Sequence, residues 1–174
     1  MKETIRIGSF QGPIVDNDFD GNLSKVKEVL LQTRGKGLDF LCFPETYLSG
    51  YSHQAVRDSS VHLDDNRLLE FYQFTSSFDT VVLIGMSERE NGKIFNTQLV
   101  VYQGELLGRY HKTMLTDEDK VHFSTDLEFP VFEAKGIKFG IVICADTSYV
   151  EPALLLRWKG ARLLFTPHYN DIPP

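Results

Sequence analysis

Two short apolar runs constrain this chain more than any other feature. Leu38 to Phe43 is stopped by Pro44, and Phe139 to Ile143 ends at Cys144. Runs so short and so apolar read as strands in a sheet that is covered on both faces. The stretches between them supply the cover. Asn22 to Arg34 carries Leu23, Val26 and Leu30 at helical spacing, with Asn22 as a cap and Gly35 and Gly37 at its end. Asp65 to Phe74 reads as a second helix. Glu151 to Lys159 reads as a third, with Pro152 in its first turn and Gly160 after it.

Further strands complete the pattern. Ile5 to Ser9 alternates apolar and polar residues before Gly12-Pro13 breaks it, and Val81 to Met86 is a third buried run. Phe95 to Tyr102 and Leu106 to His111 predict a hairpin turning at Gln103-Gly104. Lys112 to Asp126 is polar and irregular. Val131 to Glu133 and Ile137 to Cys144 flank a turn at Lys135-Gly136, and Leu163 to Thr166 is a last strand. β-α-β units mixed with hairpins, without repeats or a linker, give one α/β or α+β domain with a mixed sheet. At 174 residues the chain can bury a sizeable core.

Composition removes several function classes. Eighteen basic residues against twenty-four acidic ones give a net charge of −6. Such a chain has no general affinity for a phosphate backbone or an anionic membrane surface. No apolar run approaches the ~20 residues of a membrane helix, and Met1-Lys2-Glu3-Thr4 leads into a strand without a signal peptide. The two cysteines, Cys42 and Cys144, cannot make a disulfide scaffold or a four-thiolate zinc site. Free thiols in a reducing cytoplasm are the simpler expectation.

Three polar residues follow directly on buried strands: Glu45 after Phe43-Pro44, Lys112 after Tyr110-His111, and Cys144 after Ile143. Ligand sites of α/β sheets gather beyond strand ends. A carboxylate, an ammonium and a thiol brought together there have a joint chemistry. Glu45 can act as general base, Cys144 as nucleophile forming a thioester, and Lys112 as a fixed charge for an oxyanion. The backbone N–H of Ala145, at a strand-to-helix turn, is a second oxyanion donor. Taken singly, each has a plainer reading: a packed cysteine, a loop carboxylate, a solvated lysine. Cys42, inside an apolar strand, is read as structural. Tyr51, Tyr149, His168 and Asn170 follow the same strands and are candidates for a small-molecule pocket. A Cys144–His168 protease leaves the settings of Glu45 and Lys112 unexplained. His111 points away from Lys112 if the strand continues.

These settings resemble the nitrilase, or carbon–nitrogen hydrolase, superfamily. Phe43-Pro44-Glu45-Thr46-Tyr47-Leu48-Ser49-Gly50-Tyr51 is similar to its glutamate motif. Tyr110-His111-Lys112-Thr113-Met114-Leu115 is similar to its lysine motif, and Gly140-Ile141-Val142-Ile143-Cys144-Ala145-Asp146 to its cysteine motif. The order and spacing also agree, and the resemblance runs over essentially the whole chain. It implies an αββα sandwich with mixed sheets that hydrolyses a non-peptide C–N bond of an amide, carbamoyl compound or nitrile, linear amides ahead of nitriles. Glu45 is then the base, Lys112 the oxyanion stabiliser and Cys144 the nucleophile, with no metal and no organic cofactor. It also implies a homodimer or larger homo-oligomer, with Glu151 to Lys159 as an interface; a helix packed only on its own sheet is the alternative.

The chain departs from the family pattern in four places. Many members carry a second glutamate after the lysine; Asp119 stands at that place here, with Glu118 beside it. Ala145 replaces a larger residue. Tyr149-Val150-Glu151 replaces Phe-Pro-Glu. The chain also stops near Pro167, so residues 1–174 correspond to the N-terminal two-thirds of the usual domain, a C-terminally shortened form. A fragment without activity, or an interaction module that retains the motifs, is the rival expectation; acyl transfer to a nucleophile other than water is a third.

Overall fold

A computed structural model describes residues 4–52 and 56–169. The chain runs β1 (Ile7–Ser9), α1 (Phe19–Thr33), β2 (Phe40–Cys42), α2 (Val56–Ser59), α3 (Asn66–Thr75), β3 (Val81–Glu90), β4 (Lys93–Tyr102) and β5 (Glu105–His111). It continues with β6 (Phe132–Ala134), β7 (Ile137–Ile141), α4 (Val150–Trp158) and β8 (Leu163–Phe165). The first five strands form one sheet in sequence order, β1, β2 and β3 parallel, then β4 and β5 antiparallel. The other sheet is β6-β7-β8, with β6 antiparallel and β8 parallel to β7.

Strand alternation sends the two apolar sets of the five-stranded sheet in opposite directions. Leu41, Val82, Ile84, Leu99 and Val101 pack on Leu23, Val26 and Leu30 of α1 and on Leu68 and Phe71 of α3. Phe40, Val81, Leu83, Val100 and Tyr110 instead meet Phe132, Phe139, Ile141 and Phe165 of the three-stranded sheet. On the far side of that sheet, Leu156 of α4 lies over Gly140, where a Cβ would come within 2.7 Å of its Cδ2. The layers are therefore α, β, β, α, the sandwich expected from the sequence. Both sheets end on the same side, at β1 and β8. A cleft of 870 Å³ lies between them, lined by Ile7, Phe10, Cys42, Leu163, Phe165 and His168 among others.

Two local readings of the sequence are corrected. Asn22 does not cap α1. Asp18 does, its Oδ1 accepting from the Gly21 N–H at 3.0 Å. Asn22 sits buried one turn further in, and its amide donates to the Val15 and Leu48 carbonyls at 2.7 and 3.2 Å. It thereby fastens the helix to the loop that follows Glu45. Strand β3 also runs past Met86 to Glu90, because Asn91-Gly92, with φ 50° and 75°, closes a second hairpin onto β4.

The extension of β3 buries a carboxylate. Glu88 is fully buried, pairs with Arg109, and accepts from the Thr97 hydroxyl at 2.9 Å. His111, opposite Thr97 on β5, lies between Glu88 (3.0 Å) and Asp126 (2.6 Å) and stacks on Phe95 at 4.2 Å. Its ring is on the helix-covered face; the next residue, Lys112, turns to the other, as alternation requires. Burial pushes the His111 imidazole down in pKa, but the two carboxylates outweigh it and hold it above its ordinary value. The sign follows from linkage: the stabilisation is complete below about pH 6.5 and is lost as pH rises through the folded-state value. The difference in melting temperature between the native chain and a His111→Gln variant should be larger at pH 6 than at pH 9, measured by differential scanning calorimetry. A difference that grows with pH contradicts the pairing.

Candidate active site

Glu45 enters the site on a loop that is held close to the sheet. After Pro44 the chain crosses β3 at Gly85, where a Cβ would sit 2.3 Å from the Thr46 nitrogen and 2.5 Å from the Pro44 oxygen. Only glycine admits that approach. The loop is then fixed by the Leu48 N–H on the Gly85 carbonyl (2.9 Å), the Gln98 amide on the Phe43 carbonyl (3.1 Å) and the Ser87 N–H on the Ser49 hydroxyl (2.8 Å). Thr46 takes φ 48°, which turns the fully buried Glu45 side chain inward.

Three donors meet the Glu45 carboxylate. Lys112 Nζ and Asn96 Nδ2 reach Oε1, each at 2.8 Å, and the Tyr169 N–H reaches Oε2 at 3.0 Å. Lys112, also fully buried, donates to Asp119 Oδ2 at 2.7 Å. Asp119 accepts further from the Tyr51 hydroxyl (2.8 Å) and the Thr116 N–H (3.2 Å), and Tyr51 stacks on Tyr169 at 4.6 Å. Burial alone lowers the pKa of a lysine, yet Glu45 and Asp119 together raise that of Lys112, so it stays an ammonium. Burial likewise pushes Asp119 up, and the bonds from Lys112 and Tyr51 overcome this and hold it below the usual carboxylate range.

Cys144 begins a tight helical turn, Cys144–Ser148, at the end of β7. Its φ of 45° is a left-handed conformation that few side chains adopt, and its N–H is held by the Pro167 carbonyl at 3.0 Å. The half-buried thiol lies near enough to Glu45 for that charge to act on it. Its pKa is raised to about 11, first by burial and then by the Glu45 charge, with Lys112 opposing. Two carboxylates against one ammonium leave the cluster net negative before the thiol ionises. A thiolate is therefore disfavoured in the resting cluster.

The structure thus brings together Glu45, Lys112, Cys144 and Asp119. It separates the two acids considered from the sequence: Glu118 is exposed, while Asp119 is buried on Lys112. Ala145 is half-buried in the Cys144 turn. Tyr51 braces Asp119. Tyr149 is 52% exposed at the end of the turn, and His168 lines the cleft between β1 and β8 rather than the cysteine. Asn170 lies outside the described residues. Cys42 is buried, with its thiol pushed up to about 12 by burial. Sequence reading missed Asn96, Tyr169 and the partners of Asp146. Asn96 had a signal: with Gln98 it puts two buried polar residues on the face of β4 that Ile94 and Val100 share. Among the described residues no group of His, Cys, Asp and Glu side chains is arranged to hold a metal ion, and no helix is long and apolar enough to cross a membrane.

The chain belongs to the carbon-nitrogen hydrolase family, whose model matches residues 6–174. It is 34% identical over 177 aligned positions to the "Hydrolase in pqqF 5'region" of Pseudomonas protegens, which covers 98% of this chain and 61% of that protein. It is 34% identical to the glutamine-dependent NAD(+) synthetase of Thermotoga maritima, over 84% of this chain and 27% of that one. An (R)-stereoselective amidase of a Pseudomonas species is 28% identical, over 91% and 58%. The chain thus spans at most about three-fifths of these relatives. Among solved structures, the fold superposes on Saccharomyces cerevisiae Nit3 with a TM-score of 0.84 at 22% identity, covering 96% of this chain and 65% of Nit3.

The charge balance of the cluster has a measurable consequence. Iodoacetamide labelling of Cys144, followed by peptide mass spectrometry, should show a pH midpoint well above the ~8.5 of a free thiol. Glu45→Gln should move the midpoint down and Lys112→Ala should move it up, while Cys42 remains unlabelled in the folded chain. Midpoints indifferent to both substitutions would separate the thiol from the cluster.

Proposed function

We propose that this chain carries the catalytic machinery of an amidase-type hydrolase acting on a small linear amide. The observation that carries the reading is the Cys144 thiol within electrostatic reach of a buried carboxylate that also receives the Lys112 ammonium. In the reaction, Sγ attacks the amide carbon as its proton passes to Glu45. The carbonyl oxygen becomes an oxyanion, received by Lys112 Nζ and the Ala145 N–H. Glu45 returns the proton to the departing nitrogen, the C–N bond breaks, and an acyl thioester remains on Cys144. Water then gives a proton to Glu45 and attacks the thioester; the C–S bond breaks and Cys144 recovers its proton as the acid leaves. Asp119 holds Lys112 in place, and Tyr51 holds Asp119.

An (R)-stereoselective amidase among the relatives, at 28% identity, is consistent with an amide substrate. Tyr51, which braces Asp119 and stacks on Tyr169, and Tyr149 are the proposed walls of the pocket around Cys144. The two free thiols suit the cytoplasm. A second copy of the chain is the proposed partner. Val150, Leu154 and Trp158, four residues apart on α4, are 63%, 59% and 85% exposed, an apolar stripe that association would cover.

A panel of small linear amides and matched nitriles tests the reading. Amide turnover should fall to background in Cys144→Ala and by about a hundredfold or more in Glu45→Gln. Full turnover in Cys144→Ala would overturn it, and nitrile turnover without amide turnover would reverse the substrate preference. For the stripe, Leu154→Glu with Trp158→Glu should lower the mass seen by size-exclusion light scattering; an unchanged mass removes α4 as the interface.

A further inference from the structure

Asp146 is fully buried two residues after the cysteine, and the mechanism above does not use it. Among the described residues its carboxylate faces no cation within bonding distance. Four neutral donors surround it instead. Oδ2 accepts from the Ile143 N–H at 2.7 Å and the Tyr110 hydroxyl at 2.8 Å. Oδ1 accepts from the Met114 N–H at 2.7 Å and the Thr113 N–H at 3.2 Å.

The placement of these donors is informative. Ile143 precedes Cys144, and Asp146 donates its own N–H back to the Ile143 carbonyl at 2.9 Å. The two bonds close a ring around Cys144 and Ala145, across the residue whose φ is 45°. Thr113 and Met114 directly follow Lys112, and Tyr110 is two residues before it. One carboxylate therefore locks the turn that carries the nucleophile and ties it to the segment that carries the ammonium. These two segments come from different sheets, the cysteine after β7 and the lysine after β5, so Asp146 sets a distance that the strands of neither sheet set.

We propose that Asp146 is a positioning residue: it fixes the Cys144 thiol relative to the Glu45–Lys112 pair, which makes the proton transfer from thiol to carboxylate possible. The proposal rests on the hydrolase reading given above. Asparagine is nearly the same size but offers one acceptor oxygen, and its NH2 group must face backbone N–H donors. The Asp146→Asn variant should therefore relax the Cys144 turn without emptying space in the core. Displacement of a reacting group by about 1 Å can cost on the order of a hundredfold in rate.

A double-mutant cycle reads the positioning itself. Iodoacetamide labelling of Cys144 against pH is measured for the native chain, Glu45→Gln, Asp146→Asn and the double variant, with Cys42 as the internal report on folding. The shift that Glu45→Gln causes in the native background should shrink about threefold or more in the Asp146→Asn background, while Cys42 stays protected. An undiminished shift overturns the positioning role while leaving the hydrolase reading intact. No shift in the native background removes the Glu45–Cys144 pair, and both readings fall. Labelled Cys42 marks a variant that does not fold; the cycle then uses Tyr110→Phe, which deletes one of the four donors and keeps the charge. There a smaller loss of coupling is expected, and full coupling overturns the proposal.

Discussion

A buried ammonium between two buried carboxylates is the interaction on which the rest of this structure depends. Lys112, Glu45 and Asp119 are each removed from water, and an isolated charge in such a place would be costly. Their mutual bonds, with Asn96, Tyr169, Tyr51 and Thr116 on the remaining lone pairs, make the burial tolerable. Each partner arrives on a different element. The fold must therefore deliver the Glu45 loop across Gly85, the end of β5 from beneath, and the Asp119 turn from the irregular segment beyond it. His111, clamped between Glu88 and Asp126 on the opposite face, holds the root of that last segment against the sheet.

The same cluster dictates the chemistry. With two negative charges and one positive, it discourages a free thiolate, and the thiol of Cys144 is pushed up to about 11. Many reactive cysteines gain reactivity from a lowered pKa. This one is arranged otherwise: its thiol is kept protonated beside a carboxylate, so that in the proposed reaction attack and proton transfer belong to one event. Lys112 stays charged because the carboxylates keep it so, which leaves a permanent cation where an oxyanion would form. Glu45 and Lys112 are thus a single electrostatic unit.

Much of this was legible in the sequence, and the part that was not has a common cause. Short apolar runs marked β2, β3 and β7; the Gln103-Gly104 turn, with φ 50° and 91°, marked the hairpin between β4 and β5. The three motifs named Glu45, Lys112 and Cys144. What escaped depends on partners distant along the chain. Asn22 and Asp18 have the same capping chemistry locally, and only the Leu48 carbonyl, on the Glu45 loop, makes Asn22 a tether. Glu88 to Glu90 looks like a polar exit from a strand until Arg109 and His111 arrive from β5. Asp119 and Glu118 are equivalent in composition, and the Thr116 turn that aims one of them at Lys112 is a three-dimensional fact. Asp146 stood in plain view in a motif, yet its role is defined by donors from two sheets.

The buried cluster keeps the resting Cys144 thiol protonated. The 13Cβ chemical shift of Cys144, followed against pH in a chain with labelled cysteines, reports its ionisation directly. The midpoint should lie well above that of an ordinary thiol, at about 11. A midpoint below neutral, with the thiolate already formed beside Lys112, would contradict it.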